Sequence, residues 1–357
     1  MSPFQQESTI LLQDLDAIVR DDAIPWDELR GKTVFVTGAT GLLGGLLVRA
    51  MLYANHLGGY GTRIIALVRD VEKAREIFAA YTTCDGLLFL EGDITKPLQV
   101  DQSIHYIFHA ASVTQSKSFV QSPVETIQTT LWGTDNVLRL AKEHKATSMV
   151  YLSTMEVYGV LEKQGQVGEE DFGYLDPMAV RSSYPESKQA AESLCSAYYH
   201  EYGVPVKTAR LTLTFGPGIA LTDNRVFAQF CEKVYQRQDI VLHTAGDTTR
   251  DYLYTADAVT ALLTILLRGG DGKAYNVANS ETYISILDMA KLVARECASD
   301  EIKVVVEIPE NVQTLGYAPV VKLNLDTRRL EALGWKARTD LPQMYQRLLA
   351  YLDEQKA

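Results

Sequence analysis

Tyr184 and Lys188 stand four residues apart in "SSYPESK". On a helix that spacing sends both side chains out of one face. An ammonium beside a phenol favours the phenolate and lowers a pKa that starts at about 10. The tyrosine then becomes a base usable near neutral pH. A second group lies in "LSTMEVYG", Leu152 to Gly159. Ser153 and Thr154 carry hydroxyls and Glu156 a carboxylate, whereas Met155 can neither donate nor accept a proton. A third stretch, "VTGATGLLGG", sets Gly38, Gly41 and Gly44 at three-residue spacing. Glycines allow a tight turn and let backbone N–H groups approach an anion. Taken singly, a solvated helical pair and an empty glycine hairpin would explain two of these motifs. Together, in this order, they read as one site.

Such a site needs a scaffold that gathers distant residues at one edge. From Lys32 the chain alternates strand-like runs, "KTVFVT", "RIIALV", "LLFLEGD", "YIFHAA" and "SMVYLS", with helical stretches. Those are "LLGGLLVRAMLYA", "VEKAREIFAAY", "ETIQTTLWGTDNVLRLAKEH" and "YPESKQAAESLCSAYYHEY". Apolar strands alternating with helices predict an α/β fold, a doubly wound parallel sheet of Rossmann type covered on both faces. Its ligands sit at the carboxyl edge, where "SMVYLS" ends and the glycine loop begins. Residues 1–30 read as a helical extension with an apolar stripe (Ile10, Leu11, Leu15, Ile18, Val19). Residues 31–212 read as the dinucleotide-binding domain, with 250–279 returning to it. Residues 213–249 and 280–357 read as a smaller, discontinuous substrate-binding lobe.

A glycine loop between a first strand and a helix predicts a dinucleotide whose pyrophosphate lies on the helix N-terminus. NAD sites usually have an acidic residue at the end of the second strand. Here Arg69 holds that position, followed by Asp70. A cation there suits a 2′-phosphate, and an arginine shielding the adenine would give the same pattern. The reading inclines to NADP, with NAD as the alternative. Asp93 in "EGDIT" is placed to meet the adenine.

The 357 residues are 46% hydrophobic and 22% charged, with a net charge of −11. That balance argues against a nucleic-acid partner or an anionic membrane surface, though not against small anions held locally. Cys84, Cys195, Cys231 and Cys297 lie far apart with no CxxC spacing, and the six histidines form no metal-ligand pattern. No metal is expected. The N-terminus lacks a basic region before an apolar core, and no apolar run reaches the roughly 20 residues of a membrane span. A cytoplasmic protein is expected. The aromatic run "SAYYHEY" fits a core or a helical homodimer interface better than base stacking.

In these motifs the chain resembles the extended short-chain dehydrogenases of the nucleotide-sugar epimerase/dehydratase group. "TGATGLLG", "GDIT", "HAAS", "STMEVYG", "YPESK", "FGPG", "TRDYLYTADAV" and "LGW" fall in that family's order after residue 30. The resemblance implies that Tyr184 takes the proton from the sugar's C4 hydroxyl while hydride passes from C4 to a nicotinamide. Thr154, with Ser153 beside it, would bind the same oxygen, and Lys188 would orient the nicotinamide ribose. The cofactor contacts it implies are Gly38, Thr40, Gly41, Leu42, Leu43 and Gly44 in the loop, then Arg69, Asp93 and Ile94. His109, Ala110 and Ala111 of "HAAS" join them, with Ser153, Tyr184 and Lys188. Substrate contacts would be Ser112, Thr154, Met155, Glu156, Arg225 and Arg250, the two arginines gripping the nucleotide diphosphate. Surface ion pairing is the plainer reading of those arginines. The chain departs from the family at Thr130 and Leu213, where asparagines are usual.

After C4 oxidation the C5 hydrogen is acidic and three reactions branch. The family's dehydratases have Thr-Asp-Glu where this chain has Thr154-Met155-Glu156, and Met155 cannot protonate a leaving C6 oxygen. Simple 4-epimerisation leaves Glu156 without a task. Decarboxylation of a glucuronosyl nucleotide needs the 4-ketone and a group to manage protonation at C5. The chain resembles UDP-glucuronate decarboxylases in Thr-x-Glu, in "FGPGIALTDNRVFAQF" and in "GDTTRDYLYTADAV". It differs from them at Met155, usually Ser, and at Gly218, usually Arg. A 4-epimerase, a 4,6-dehydratase, a 4-keto-sugar reductase, and a non-catalytic dinucleotide-binding regulator are the alternatives.

Overall fold

The computed structural model describes residues 3–81, 84–114, 116–309 and 320–356. Seven strands form a parallel sheet: β1 (Thr33–Thr37), β2 (Arg63–Val68), β3 (Leu87–Glu91), β4 (Tyr106–His109), β5 (Ser148–Thr154), β7 (Val206–Leu211) and β11 (Ala274–Val277). Their order across the sheet is β3-β2-β1-β4-β5-β7-β11. After β3 the chain crosses to the other side of β1, which opens the crevice where such sheets hold ligands. Alternate residues of β1 serve different faces. Val34 and Val36 pack with α2 (Leu42–Gly58) and α8 (Thr255–Arg268), whereas Phe35 packs with α5 (Pro123–Glu143) and α6 (Ser183–Tyr202). Burial on both faces is why these strands read as unbroken apolar runs.

The second sheet runs β12 (Asn279–Ser285), β10 (Thr249–Tyr254), β14 (Lys322–Leu325), β6 (Gln166–Val167), with β8 (Leu213–Phe215) also paired to β10. β9 (Ile240–Leu242) pairs with β13 (Val304–Val306) as a separate ribbon. The expected return to the first domain at residue 250 is thus later in the structure. β10 belongs to the small sheet, since its ladder partners are Ile284 and Leu323, and α8 and β11 make the return. The N-terminal extension folds as α1 (Thr9–Val19), whose Leu11, Leu15 and Ile18 are buried. Arg347 of the last helix, α11 (Leu341–Glu354), ties it down by donating to Asp14 Oδ1 at 2.6 Å and to the Tyr254 hydroxyl at 3.0 Å. Among the described residues no helix is long and apolar enough to cross a membrane, and no group of His, Cys, Asp and Glu could hold a metal ion.

Candidate active site

The chain leaves β1 at Gly38 in a left-handed turn, φ +65°. A Cβ at Gly38 would lie 2.7 Å from the Ala110 carbonyl, and one at Gly44 would strike the Gly38 carbonyl. Only glycines let the loop, the end of β4 and the first turn of α2 meet. Gly41 is the N-cap of α2 and offers no side chain to cap it. The first helical N–H groups, on Leu42 and Leu43, therefore remain open to a ligand, and the loop fits a pyrophosphate. Thr40 is exposed beside them.

His109 does not face outward from that crevice. It is 1% exposed, with Nδ1 2.8 Å from Thr37 Oγ1 and Nε2 3.2 Å from Thr134 Oγ1. Thr134 gives its hydroxyl proton to the Thr130 carbonyl, so it accepts from Nε2–H. Thr37 therefore donates to Nδ1 and accepts the Ala111 N–H at 3.1 Å. Burial and Lys188 push the imidazole down to about 3, which keeps it neutral. Its function is to fix the Ala110–Ala111 backbone against the glycine loop. The asparagine position at Thr130 is also structural here, since its hydroxyl donates to Thr126 O at 2.9 Å.

Asp93 accepts from the Thr95 N–H and hydroxyl, both at 2.9 Å. Those bonds, with Lys96 and Arg69 nearby, hold its carboxyl below the usual range. Ile94 is buried and its carbonyl accepts from Asn136 at 2.9 Å. Asp70 spends its carboxylate capping the helix Val71–Ile77 through the Lys73 N–H. Arg69, just past the end of β2, is exposed.

Thr154 ends β5, where it pairs with Leu211 of β7. Its hydroxyl accepts the Glu156 N–H at 3.3 Å, and both that hydroxyl and the Glu156 carboxylate lie near enough to the Tyr184 phenol to influence its titration. Lys188 is 3% exposed, donates to the Leu152 carbonyl at 2.7 Å, and lies 5.9 Å from the Tyr184 ring centre. The structure thus brings Thr154, Glu156, Tyr184 and Lys188 together. It corrects the expected titration. Burial pushes the phenol above its ordinary value and Glu156 adds to the rise, with Thr154, Arg181 and Arg225 opposing. Burial also lowers Lys188 to about 8. Desolvation of the charged forms outweighs the helical pairing that the spacing suggested.

Met155 was expected among the substrate contacts. It is 4% exposed and packs with Val157, Tyr158, Val167, Leu323 and Leu325 of the small lobe, its sulfur accepting from Thr212 Oγ1 at 3.3 Å. The short helix Met155–Tyr158 turns it inward while Glu156 stays outside. Ser153 likewise points away from the crevice: its hydroxyl donates to Glu192 at 2.5 Å. Glu192 is held by Arg210 Nη2 at 2.6 Å, and Arg210 also donates to the Tyr158 hydroxyl and the Glu169 carbonyl. This buried network braces β5 against β7 and α6.

Ser112 is partly exposed and donates weakly to the Val113 carbonyl at 3.3 Å. Arg225 is clamped by a fork on Asp223, with Nη2 at 2.6 Å. Arg250 leaves its buried Nε without a partner among the described residues, as a donor awaiting an anion would. Two residues escaped the sequence reading. Phe119 stacks on Tyr184 with ring centres 4.2 Å apart, and Arg181 lies 4.8 Å over Phe119 while its Nη2 donates to Glu156 at 2.9 Å. The arginine three residues before Tyr184 was the one available signal for the second.

The family described as NAD dependent epimerase/dehydratase matches residues 34–278. UDP-glucuronic acid decarboxylase 1 of Xenopus tropicalis is 29% identical over 305 residues, 82% of this chain and 69% of that protein. UDP-glucuronic acid decarboxylase 5 of Arabidopsis thaliana is 31% identical over 259 residues, 71% of this chain and 72% of that protein. The fold matches UDP-glucose 4-epimerase of Thermotoga maritima with a TM-score of 0.74 at 21% identity, covering 91% of this chain and 100% of that one. It matches an NAD complex of dTDP-glucose 4,6-dehydratase from Bacillus anthracis equally, with a TM-score of 0.74 at 19% identity over 91% and 97% of the two chains. Glycine loop, strand edge and Tyr–Lys pair all lie inside the matched span, and the chain belongs to the NAD dependent epimerase/dehydratase family of enzymes.

Proposed function

We propose that this enzyme decarboxylates a glucuronosyl nucleotide, with UDP-glucuronate as its substrate. One observation carries the reading: Glu156 meets Arg181 beside the Phe119–Tyr184 stack at the end of β5, while Met155 next to it is packed into the small lobe. No acid from that position can protonate a departing C6 oxygen, and general-acid help is worth about 10²–10⁴ in rate. The similar decarboxylases of Xenopus and Arabidopsis support the same branch.

The glycine loop, with Leu42 and Leu43, would hold the dinucleotide pyrophosphate, and Lys188 the nicotinamide ribose. Bound there, the nicotinamide supplies a hydride acceptor and later a donor for C4. Burial holds the Tyr184 phenol protonated in the free enzyme; the positive charge of a bound nicotinamide would favour the phenolate, and Tyr184 would then take the C4 hydroxyl proton while Thr154 holds that oxygen. The resulting β-keto acid loses carbon dioxide readily, and Glu156 manages the proton at C5. Arg250, whose buried Nε has no partner among the described residues, grips the diphosphate, and Arg225 reaches it through the Nη1 that its fork on Asp223 leaves over. Arg69, exposed where Asp70 is engaged, favours NADP over NAD. The exposed Val124, Ile127 and Trp132 of α5 support a homodimer through that helix.

Purified enzyme is expected to convert UDP-glucuronate to a UDP-pentose with release of carbon dioxide, with NADP serving at least as well as NAD. Recovery of an epimerised UDP-hexuronate instead would replace this reaction by 4-epimerisation. Dependence on NAD alone would remove the 2′-phosphate role of Arg69.

A further inference from the structure

We propose that Arg181 determines substrate specificity by receiving a carboxylate carried at C5 of the sugar. The inference rests on the decarboxylase reading and names the residue that would select a uronic acid over a hexose. Arg181 lies on the one-turn helix Val180–Ser182 that leads into α6. Its guanidinium lies 4.8 Å over Phe119, and Phe119 stacks on Tyr184 at 4.2 Å with the rings 5° from parallel. Guanidinium, ring and phenol ring form three layers. Phe119 is 2% exposed and its carbonyl accepts from the Ser183 hydroxyl at 2.8 Å, so the middle layer is fixed. Arg181 is thereby held one ring away from the group that binds the C4 oxygen.

Among the cations near the phenol, Arg181 is the most open to a ligand, its side chain 46% exposed against 31% for Arg225, with Lys188 buried. Arg225 is occupied by both oxygens of Asp223, and Lys188 donates to Leu152 O. Arg181 uses Nη2 on Glu156, and its side chain is 46% exposed against 33% for the glutamate. A pair so open to water contributes little to stability, so exchanging it for a ligand costs little.

A sugar whose C4 oxygen lies between Tyr184 and Thr154 must carry its C5 substituent beside that oxygen, on the side where Glu156 and Arg181 meet or on the side facing them. A carboxylate there gains a charge-assisted, bidentate partner; a hydroxymethyl group gains a neutral contact and leaves the guanidinium paired with Glu156. The exchange also has a chemical consequence. Once Arg181 turns to the substrate, Glu156 is released to face C5 and can relay a solvent proton to it. Carbon dioxide then leaves C5, the electron pair of the broken bond passes to the C4 oxygen as an enolate, and the Glu156 proton goes to C5. Glu156 returns to carboxylate and is ready to pair with Arg181 again.

The test measures affinity rather than turnover, because Arg181 also influences the phenol. UDP-glucuronate and UDP-glucose are competed for the cofactor-loaded native enzyme, Arg181→Met and Arg181→Lys, with dinucleotide affinity confirming that each variant folds. The native enzyme is expected to prefer UDP-glucuronate. Arg181→Met should reduce that preference at least about tenfold with UDP-glucose affinity unchanged, and Arg181→Lys should keep part of it. Native preference retained in Arg181→Met would overturn the assignment and leave the decarboxylase reading standing. A native enzyme that binds the two nucleotides equally would overturn both.

Discussion

Tyr184→Phe is expected to abolish turnover while leaving the fold and dinucleotide affinity intact. The substitution removes the hydroxyl alone. The ring keeps its stacking on Phe119 at 4.2 Å, and Lys188 keeps its bond to Leu152 O. What is lost is the one group that can take the C4 proton, and a general base accounts for about 10²–10⁴ in rate. Thr154 keeps its contact with the Glu156 N–H and gains no acid–base role. Product formation measured beside dinucleotide binding checks both halves. Turnover within tenfold of native in a folded variant would mean another residue removes the proton.

Glu192→Ala should destabilise the protein by about 3–5 kcal/mol, because it leaves the Arg210 guanidinium buried without its counter-charge. Arg210 is 4% exposed and Glu192 side-chain exposure is 11%, so water replaces little of what the pair provides. Tyr158 and the Glu169 carbonyl would remain as neutral partners only. Ser153 would lose its acceptor as well, loosening the strand that ends in Thr154. Replacing both charges, as Glu192→Leu with Arg210→Met, should recover much of the loss, since well-packed apolar pairs often match buried ion pairs. Urea unfolding of the three proteins measures this. A single variant as stable as the native chain would show that the network does not brace the sheet.

The parts of the fold legible in the sequence are those set by local pattern. "TVFVT" and "SMVYLST" read as buried strands because nothing interrupts their apolar run, and the glycine loop is legible because its constraint is steric and local. β7 escaped notice because Lys207 and Arg210 interrupt "VKTARL". Both are buried all the same, neutralised by Asp271 and Glu192, and no spacing rule announces partners that only the sheet brings near. β10 opens the segment 250–279 that was expected to return to the first domain, and it pairs instead within the small sheet, because sequence does not name a strand's neighbour.

The site divides in the same way. The types of Thr154, Glu156, Tyr184 and Lys188 were enough to suggest their chemistry, and the strand edge and helix start explain why they meet. The direction of Met155 was not legible, because the turn that buries it depends on strands 150 residues and more away, Leu323 and Leu325 among them. Arg181 pairs with a residue 25 positions earlier, across a loop whose path no motif describes. The Tyr184 titration failed as an expectation because helical spacing reports neighbours and not burial.

Mass analysis of the products that the native enzyme forms from UDP-glucose and dTDP-glucose tests the central claim most directly. Met155 is buried where the related dehydratases carry an acid, so a C6 hydroxyl has no proton donor there and should not leave. The expected result is recovery of both nucleotides without loss of water, under conditions in which UDP-glucuronate loses carbon dioxide. Efficient formation of a 4-keto-6-deoxy sugar from either hexose would contradict the account, since some other group would then be protonating the C6 oxygen.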